Sequence, residues 1–273
     1  MIKWFLRGVT QRRLTTHYPR SPEPAPPRFR ARALLDRDRA IVEAAGAAAC
    51  AAVCLPGALT EDWNGRLSLD AGRCIACGLC VDACMDGSLE IDTGYELAAT
   101  SRSRLDLADG AKQTRLSASG LGGPFRRSLH IRHIDTGSDG AVEQEIAALL
   151  SPYYDMQRLG LFFTASPRHA DALLVTGPVT RPMRQPLRRT YEAMPEPRVV
   201  IAAGTDACSG SIWTEPEVLG GVDRVLPVDV YIPGDPPSPI ALLHGLLLAA
   251  GRVSEVSPPS AKHRLTAAEA SSR

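Results

Sequence analysis

The chain has 273 residues, a formal net charge of +1 and 44% hydrophobic residues, which suits one large domain or two modest ones. The balanced charge gives no global attraction to nucleic acid or to an anionic membrane. The longest apolar segment, residues 239–251, is too short to span a bilayer, and the N-terminus lacks the apolar run of a signal peptide. We therefore expect a cytoplasmic protein that binds no nucleic acid and reaches a membrane only through a partner.

The first half of the chain divides into three predicted regions. Residues 1–35 include the proline-rich stretch YPRSPEPAPPRFRAR and are predicted to form an extended N-terminal arm, either disordered or wrapped around a neighbouring subunit. Residues 36–95 hold six of the seven cysteines and are predicted to form a small separate unit. Residues 96–124 show no sustained periodicity and are predicted to be a linker.

The second half, residues 125–253, alternates between two hydrophobic patterns. Apolar, β-rich runs predict strands, and apolar residues at helical spacing predict helices between them. The predicted strands are 128–134, 159–165, 171–177, 198–204 and 224–232, and the predicted helices are 141–151, 185–194 and 239–251. This alternation predicts an α/β fold around a mostly parallel sheet. The polar residues 254–273 are predicted to form a disordered tail.

The cysteines of the small unit follow the spacing of bacterial iron–sulfur proteins. Residues 74–84 read CIACGLCVDAC, and in two-cluster ferredoxins the first three cysteines of such a run bind one [4Fe–4S] cluster, whereas the fourth serves the other. Upstream, Cys50 and Cys54 have the spacing of the last two cysteines of a second run. The first two positions of that run hold Ala44 and Ala47. The segment therefore resembles a two-cluster bacterial ferredoxin that has kept one cluster.

This interleaved arrangement predicts one complete ligand set. Cys74, Cys77 and Cys80 take Cys54 as the fourth ligand of a single [4Fe–4S] cluster. Cys50 and Cys84 are the residual ligands of the lost second cluster and are expected to be buried thiols. Four cysteinates also suit zinc, but zinc modules usually space their ligands as two separated pairs. The predicted fold of this unit is an α+β ferredoxin-like module.

Longer strings in the second half resemble a known family. SPRHADALLVTGPVT and VLPVDVYIPGDPPSP are similar to the small subunit of energy-converting, membrane-bound nickel–iron hydrogenases and formate hydrogenlyase, and to its homologue in respiratory complex I. The resemblance covers about residues 127–252 and implies a flavodoxin-like domain. Because the cysteine run resembles the ferredoxin-type subunit of the same complexes, the chain looks like a fusion of two neighbouring subunits.

The resemblance also implies a second cluster site, whose four cysteines are replaced here. The family's ligand positions fall on Asp139, Val142, Asp206 and Asp235, and Cys208 lies two residues past the third. Iron–sulfur clusters need soft thiolates, so no cluster is expected at these degenerate positions. The aspartates suit either a magnesium or calcium ion or backbone N–H groups, including those of the helix starting near residue 141.

Two functions follow as hypotheses. The first is an iron–sulfur electron-transfer subunit of a hydrogenase-like, formate hydrogenlyase-like or complex I-like (NADH–quinone oxidoreductase) assembly. It would take electrons from a soluble donor, contact a large subunit directly, and lie on the inner face of the cell membrane through membrane subunits. The second is a non-redox structural scaffold of such a complex. In neither case is the chain expected to be catalytic alone.

Overall fold

The structure is a computed structural model that describes residues 8–10, 14–25, 28–35, 44–84, 88–105, 123–213 and 216–255. The N-terminal unit has the element order β–α–β–β–α–β. Its elements are β1 (Arg32–Leu35), α1 (Ala44–Ala52), β2 (Leu59–Glu61), β3 (Leu67–Leu69), α2 (Leu79–Ala83) and β4 (Leu89–Asp92).

Two antiparallel strand pairs frame this unit. Strand β1 pairs with β4, so that Arg32 lies opposite Asp92 and Leu35 opposite Leu89, and β2 pairs with β3. The Arg32 Nε and Asp92 Oδ2 atoms form a buried ion pair at 3.3 Å. The first and last strands of the unit are therefore held together by charge as well as by the backbone ladder, and the two helices lie between them in sequence.

The C-terminal domain is built on a five-stranded parallel sheet with the order β6-β5-β7-β8-β9. Numbered within the domain, this order is 2-1-3-4-5, which is that of flavodoxin-like doubly wound folds. The strands are β5 (Leu129–Asp135), β6 (Leu161–Phe163), β7 (Ala172–Thr176), β8 (Val199–Ala203) and β9 (Val230–Ile232). The helices are α3 (Ala141–Ala148), α4 (Arg184–Glu192), α5 (Thr205–Ser209) and α6 (Pro239–Ala249).

Both faces of the sheet are covered. Strands β7 and β8 are buried along their whole length, as expected for parallel strands with material on each side. Leu174 and Ile201 face a core shared with α3 and α6. Leu173 and Val200 face a second core that continues into the N-terminal unit. The small unit is thus packed on one face of the sheet through apolar side chains.

The predicted elements of the C-terminal half are present with small changes in their bounds. Each of the five predicted strands overlaps an observed strand, and each of the three predicted helices has an observed counterpart. The strand predicted at 224–232 forms only over Val230–Ile232, and residues 225–229 before it are turn, bend or irregular structure. The short helix α5 was not predicted, because five residues are too few to show helical periodicity.

Parts of the predicted arm and linker pack on the C-terminal domain. In the arm, Thr16 donates its backbone N–H to the Tyr153 carbonyl at 2.8 Å, and the buried Tyr18 donates its hydroxyl to Glu96 at 2.9 Å. In the linker, Ala99 is buried and forms an antiparallel bridge with Tyr231 of β9. The linker therefore begins as packed structure, while residues 106–122 lie outside the described part of the chain. The predicted tail at 256–273 also lies outside it.

The helices of the described residues fall short of a membrane span. No helix among them is long and apolar enough to cross a bilayer.

Candidate functional site

Four free cysteines surround one hollow in the N-terminal unit. They are the four residues predicted as a ligand set: Cys54, Cys74, Cys77 and Cys80. Cys54 follows α1, whereas the other three lie on the loop that leads into α2 and on its first turn. Cys74 and Cys80 are buried and Cys77 is exposed, so the hollow opens to solvent on one side. Thiols from two separate segments of the chain therefore meet at one place.

The backbone of the loop winds around this hollow. Ala76 and Gly78 both have positive φ, at 54° and 85°, a left-handed conformation that costs least for glycine. The wall behind the sulfurs is apolar and includes Ala33, Leu59 and Leu69. The apolar lining and the tightly wound loop together position the four sulfur atoms around the hollow.

Backbone amides point at two of the sulfurs. The Leu59 N–H donates to the Cys54 Sγ at 3.2 Å, and the Ala33 N–H donates to the Cys74 Sγ at 3.5 Å. Hydrogen bonds of this kind stabilise a thiolate and tune the potential of a cluster bound to it. The amides come from β2 and β1, so the two strand pairs position the donors.

Burial favours the neutral thiol form of Cys74 and Cys80. Burial raises the pKa of Cys74. Burial also raises the pKa of Cys80 to about 11, and the negative charges of Cys74 and Cys54 add to the shift. A thiol must lose its proton to ligate iron, so binding here must release protons.

The hollow offers the donor type that an iron–sulfur cluster takes, since the described residues that line it include four cysteines and no His, Asp or Glu. Among the described residues, no three His, Cys, Asp or Glu side chains converge closely enough to hold one metal ion. Zinc requires its four sulfurs within about 2.3 Å of a single point, whereas a four-iron cube holds its thiolates further apart. Four thiols lining one apolar hollow suit the larger group.

Cys50 and Cys84 form a disulfide with a Cα–Cα distance of 5.5 Å. This corrects the expectation that the two residual ligands of the lost second cluster remain thiols. Their proximity follows from the ligand rule, since both belong to the same lost set. The bond itself has no counterpart in the sequence pattern, because spacing carries no information about oxidation state.

The degenerate positions of the C-terminal domain lie at the carboxyl ends of three strands. Asp139 follows β5, Asp206 lies on α5 after β8, and Asp235 follows β9. The Asp139 Oδ1 accepts the Ala141 N–H at 2.9 Å, which fits the expectation of a carboxylate at a helix start. Val142 is 6% exposed and belongs to the core around α6. Its side chain packs as an apolar residue at the position where the family implies a ligand.

The three carboxylates influence one another. Burial raises the pKa of Asp206 to about 6, with a further contribution from the charge of Asp235 and a smaller one from Asp139. Burial and Asp139 likewise raise the pKa of Asp235. Trp213 and Ser211 donate hydrogen bonds to Asp206 and partly offset the shift. Carboxylates and a valine do not supply the soft ligands of an iron–sulfur cluster, so the residues present here do not fit one.

Cys208 lies apart from the hollow as a core residue. It is fully buried on α5, and burial raises the pKa of its thiol to about 12. Its sulfur contacts the Ala202 carbonyl at 3.6 Å. A single buried thiol of this kind is a small apolar side chain and does not restore the missing ligand set.

The two sites adjoin across a contact that the sequence did not predict. The Thr205 hydroxyl donates to the Cys74 carbonyl at 3.3 Å and accepts the Gly234 N–H at 3.2 Å. Thr205 immediately precedes Asp206, and Cys74 belongs to the thiol-lined hollow. The N-terminal hollow therefore rests against the edge of the sheet that carries the degenerate positions.

The C-terminal domain matches a family model described as the NADH ubiquinone oxidoreductase 20 Kd subunit, over residues 140–249. An uncharacterized protein of Methanocaldococcus jannaschii is 45% identical over 125 residues, covering 46% of this chain and 84% of the relative. The probable membrane-bound hydrogenase subunit mbhJ of Pyrococcus furiosus is 44% identical over 131 residues, covering 48% of this chain and 78% of the relative. Formate hydrogenlyase subunit 7 of Escherichia coli is 44% identical over 132 residues, covering 48% of this chain and 52% of the relative.

A parallel sheet in flavodoxin-like order, with a site at the carboxyl ends of its strands, defines an α/β protein of the doubly wound class. The identity and coverage of the matched relatives also show the family. This chain belongs to the family of the 20-kDa subunit of NADH–ubiquinone oxidoreductase, whose members include subunits of hydrogenase and formate hydrogenlyase complexes.

Proposed function

We propose that the chain is the iron–sulfur electron-transfer subunit of a hydrogenase-like, formate hydrogenlyase-like or complex I-like assembly. In this proposal one [4Fe–4S] cluster is held by Cys54, Cys74, Cys77 and Cys80 in a ferredoxin-like N-terminal unit. That unit is fused to a domain like the 20-kDa subunit of complex I, and this domain contacts the large subunit of the assembly. The observation that carries the proposal is the meeting of four free thiols from two chain segments around one hollow.

The cluster, when bound, supplies a one-electron acceptor and donor. The residues of the chain have separate roles around it. The amides of Ala33 and Leu59 stabilise thiolate charge, and the apolar wall limits the access of water. The exposed position of Cys77 supports entry of electrons from a soluble donor on that side.

The position of the hollow supports a role within a larger complex. It rests on the domain edge that contains Thr205, and the related subunits belong by name to membrane-bound hydrogenase and formate hydrogenlyase. Peripheral attachment to the inner face of the cell membrane, through partner subunits, is part of the same proposal.

Iron content tests the ligand set directly. We expect the anaerobically purified chain to contain about four irons and about four sulfides, with an EPR signal on reduction. The variant Cys54→Ala/Cys77→Ala removes the two less buried ligands and should lower the iron content roughly tenfold. The matched control is Cys208→Ala, which removes the fifth free cysteine and should leave the iron content unchanged. Equal iron in both variants would refute the ligand set.

A second function, a non-redox scaffold, is favoured by the carboxylates at the degenerate positions. The domain keeps its packing while Asp139, Asp206 and Asp235 stand where the family implies thiolates, so no cluster within this chain hands electrons onward from the hollow. The discriminating measurement is electron transfer from the reduced chain to a quinone in the presence of the large subunit. A fully loaded chain that passes no electrons supports the scaffold, whereas transfer supports the electron-transfer role.

A further inference from the structure

The disulfide between Cys50 and Cys84 occupies a defined place beside the thiol-lined hollow. Cys50 lies on α1, and Cys84 directly follows α2. Both side chains are almost fully buried, at 3% and 4% exposure. The bond joins the two residues that the sequence assigns to a lost second cluster. A group that exchanges two electrons therefore stands at the position predicted for a vanished one-electron centre.

Each half of this cystine is four residues from a ligand of the proposed cluster. Cys50 precedes Cys54, and Cys84 follows Cys80 and donates its backbone N–H to the Cys80 carbonyl at 3.0 Å. One helical turn rises about 5.4 Å. One continuous core of buried residues includes Cys50, Cys74, Cys80 and Cys84, and Cys54 packs against that core. Cys77 is exposed. The cystine thus links the two segments that supply the cluster ligands.

Burial restricts how such a bond can be reduced. A thiolate reductant must reach a sulfur atom directly to attack it, and the sulfurs here are enclosed by α1, α2 and the neighbouring core. Electron transfer requires no direct contact but weakens steeply with distance. A cluster held by the four free cysteines of the neighbouring hollow would therefore be the better-placed source of electrons for this bond.

We propose that Cys50–Cys84 is a redox-active cystine that takes two electrons from the neighbouring [4Fe–4S] cluster. This inference rests on the proposed function, since it needs the cluster. The S–S bond breaks, two electrons arrive one at a time from the reduced cluster, and two protons from solvent form the two thiols. The electrons would come from a soluble one-electron donor and would pass one at a time through the cluster that Cys54, Cys74, Cys77 and Cys80 would hold.

The test is an electron count on the full chain after anaerobic loading with iron and sulfide. A reduced viologen serves as the one-electron donor. The wild-type chain should take up about three electrons, one for the cluster and two for the cystine. The variant Cys50→Ala/Cys84→Ala should bind the same amount of iron and take up about one electron.

Alkylation under denaturing conditions, followed by mass spectrometry, gives a readout on the wild-type chain that does not depend on a variant. Reduction by the viologen should add two labelled residues, Cys50 and Cys84. In the cluster-free variant Cys54→Ala/Cys77→Ala, the same treatment should leave these two residues unlabelled.

Several outcomes separate this inference from the proposed function. A chain with about four irons that takes up a single electron and shows no new thiols would overturn the role of the cystine alone. Equal labelling of Cys50 and Cys84 with and without the cluster would overturn the route through the cluster. A wild-type chain that cannot bind iron would overturn the proposed function and, with it, this inference.

Discussion

The N-terminal and C-terminal units have lost their implied cluster cysteines to different extents. The N-terminal unit, which runs from β1 to β4, keeps four free thiols and a disulfide. The C-terminal domain has carboxylates or a valine at all four implied ligand positions, yet its sheet is intact. Size gives a physical reason, because a unit of about 60 residues buries too little apolar surface to be more than marginally stable. A domain of over 100 residues has a core large enough to fold without a metal.

The largest expected effect of this difference is local unfolding after removal of iron. Chelation of the loaded chain, together with reduction of the disulfide, should raise amide hydrogen exchange in β1 and β4 by about 100-fold. Exchange in β7 and β8 should change less than about twofold, because their backbone hydrogen bonds run to neighbouring strands of the sheet and because α3 and α6 still cover its other face. Exchange rates measured by mass spectrometry on the same sample provide both values.

Equal loss of protection in both regions would contradict the view that only the N-terminal unit depends on the metal and the disulfide. The iron-loaded chain with its disulfide intact is the control, and it should show protection in β1, β4, β7 and β8 alike.

The second expected effect is a gain of iron in the C-terminal domain. The fourfold variant Asp139→Cys/Val142→Cys/Asp206→Cys/Asp235→Cys restores thiolates at the positions implied by the family resemblance. Because soft ligands decide whether a cluster binds, the iron content should rise from about four to about eight per chain. Iron analysis after anaerobic loading is the measurement.

The matched control replaces the same four residues by serine, which is close in size to cysteine but lacks the soft sulfur. This control should retain about four irons. If the cysteine variant also retains about four, the carry-over of ligand positions from the family is wrong.

The sequence predicted the sheet well because each strand shows its own apolar run over a few consecutive residues. Strands β7 and β8 stand out as uninterrupted apolar runs, and their burial on both faces explains why. The meeting of the four thiols at one hollow could also be expected, since the interleaved ligand rule depends only on spacing. The strands can be recognised within one short stretch of sequence, and the ligand set from the spacing of two short cysteine runs.

The contacts between the units had no such signal. Thr205 and Cys74 are 131 residues apart, and nothing in the periodicity of either segment points to the other. Ala99 was assigned to a linker for a related reason. A single bridge to Tyr231 buries it without creating a repeating hydrophobic pattern, so its segment looked featureless in the sequence.

A third, smaller effect tests that contact between the units. The substitution Thr205→Val keeps the shape of a buried side chain but removes the donor to Cys74 and the acceptor for Gly234. Leaving buried polar groups without partners should lower the free energy of unfolding by about 1–3 kcal/mol. Urea denaturation followed by circular dichroism measures the change.

The matched control for this contact is Thr190→Val. The Thr190 hydroxyl donates to the Pro186 carbonyl within α4, on an exposed part of that helix, so its loss should alter stability by no more than about 0.5 kcal/mol. A Thr205→Val variant as stable as this control would show that the two units do not depend on the hydrogen bond between them.

The smallest expected effect concerns the carboxylates that stand in place of the family's thiolates. The pKa of Asp206 rises from 3.8 to about 6 in the folded chain, so the folded state binds a proton more tightly than the unfolded state does. Stability should therefore fall as the pH rises from about 4 to above 6. The variant Asp206→Asn removes this charge and should be more stable than the wild type by about 1 kcal/mol at pH 8, after allowance for solvent screening.

The pH profile separates a charge effect from a packing effect. At pH 3.5 the wild-type carboxyl is largely protonated in both states, so the advantage of Asp206→Asn should disappear there. The control is Glu61→Gln, which removes a carboxylate at an exposed position on β2, and thermal unfolding of all three chains is the measurement. An advantage for Asp206→Asn that is constant with pH would mean that neither burial nor the charges of Asp235 and Asp139 raise the pKa of Asp206 in the folded chain.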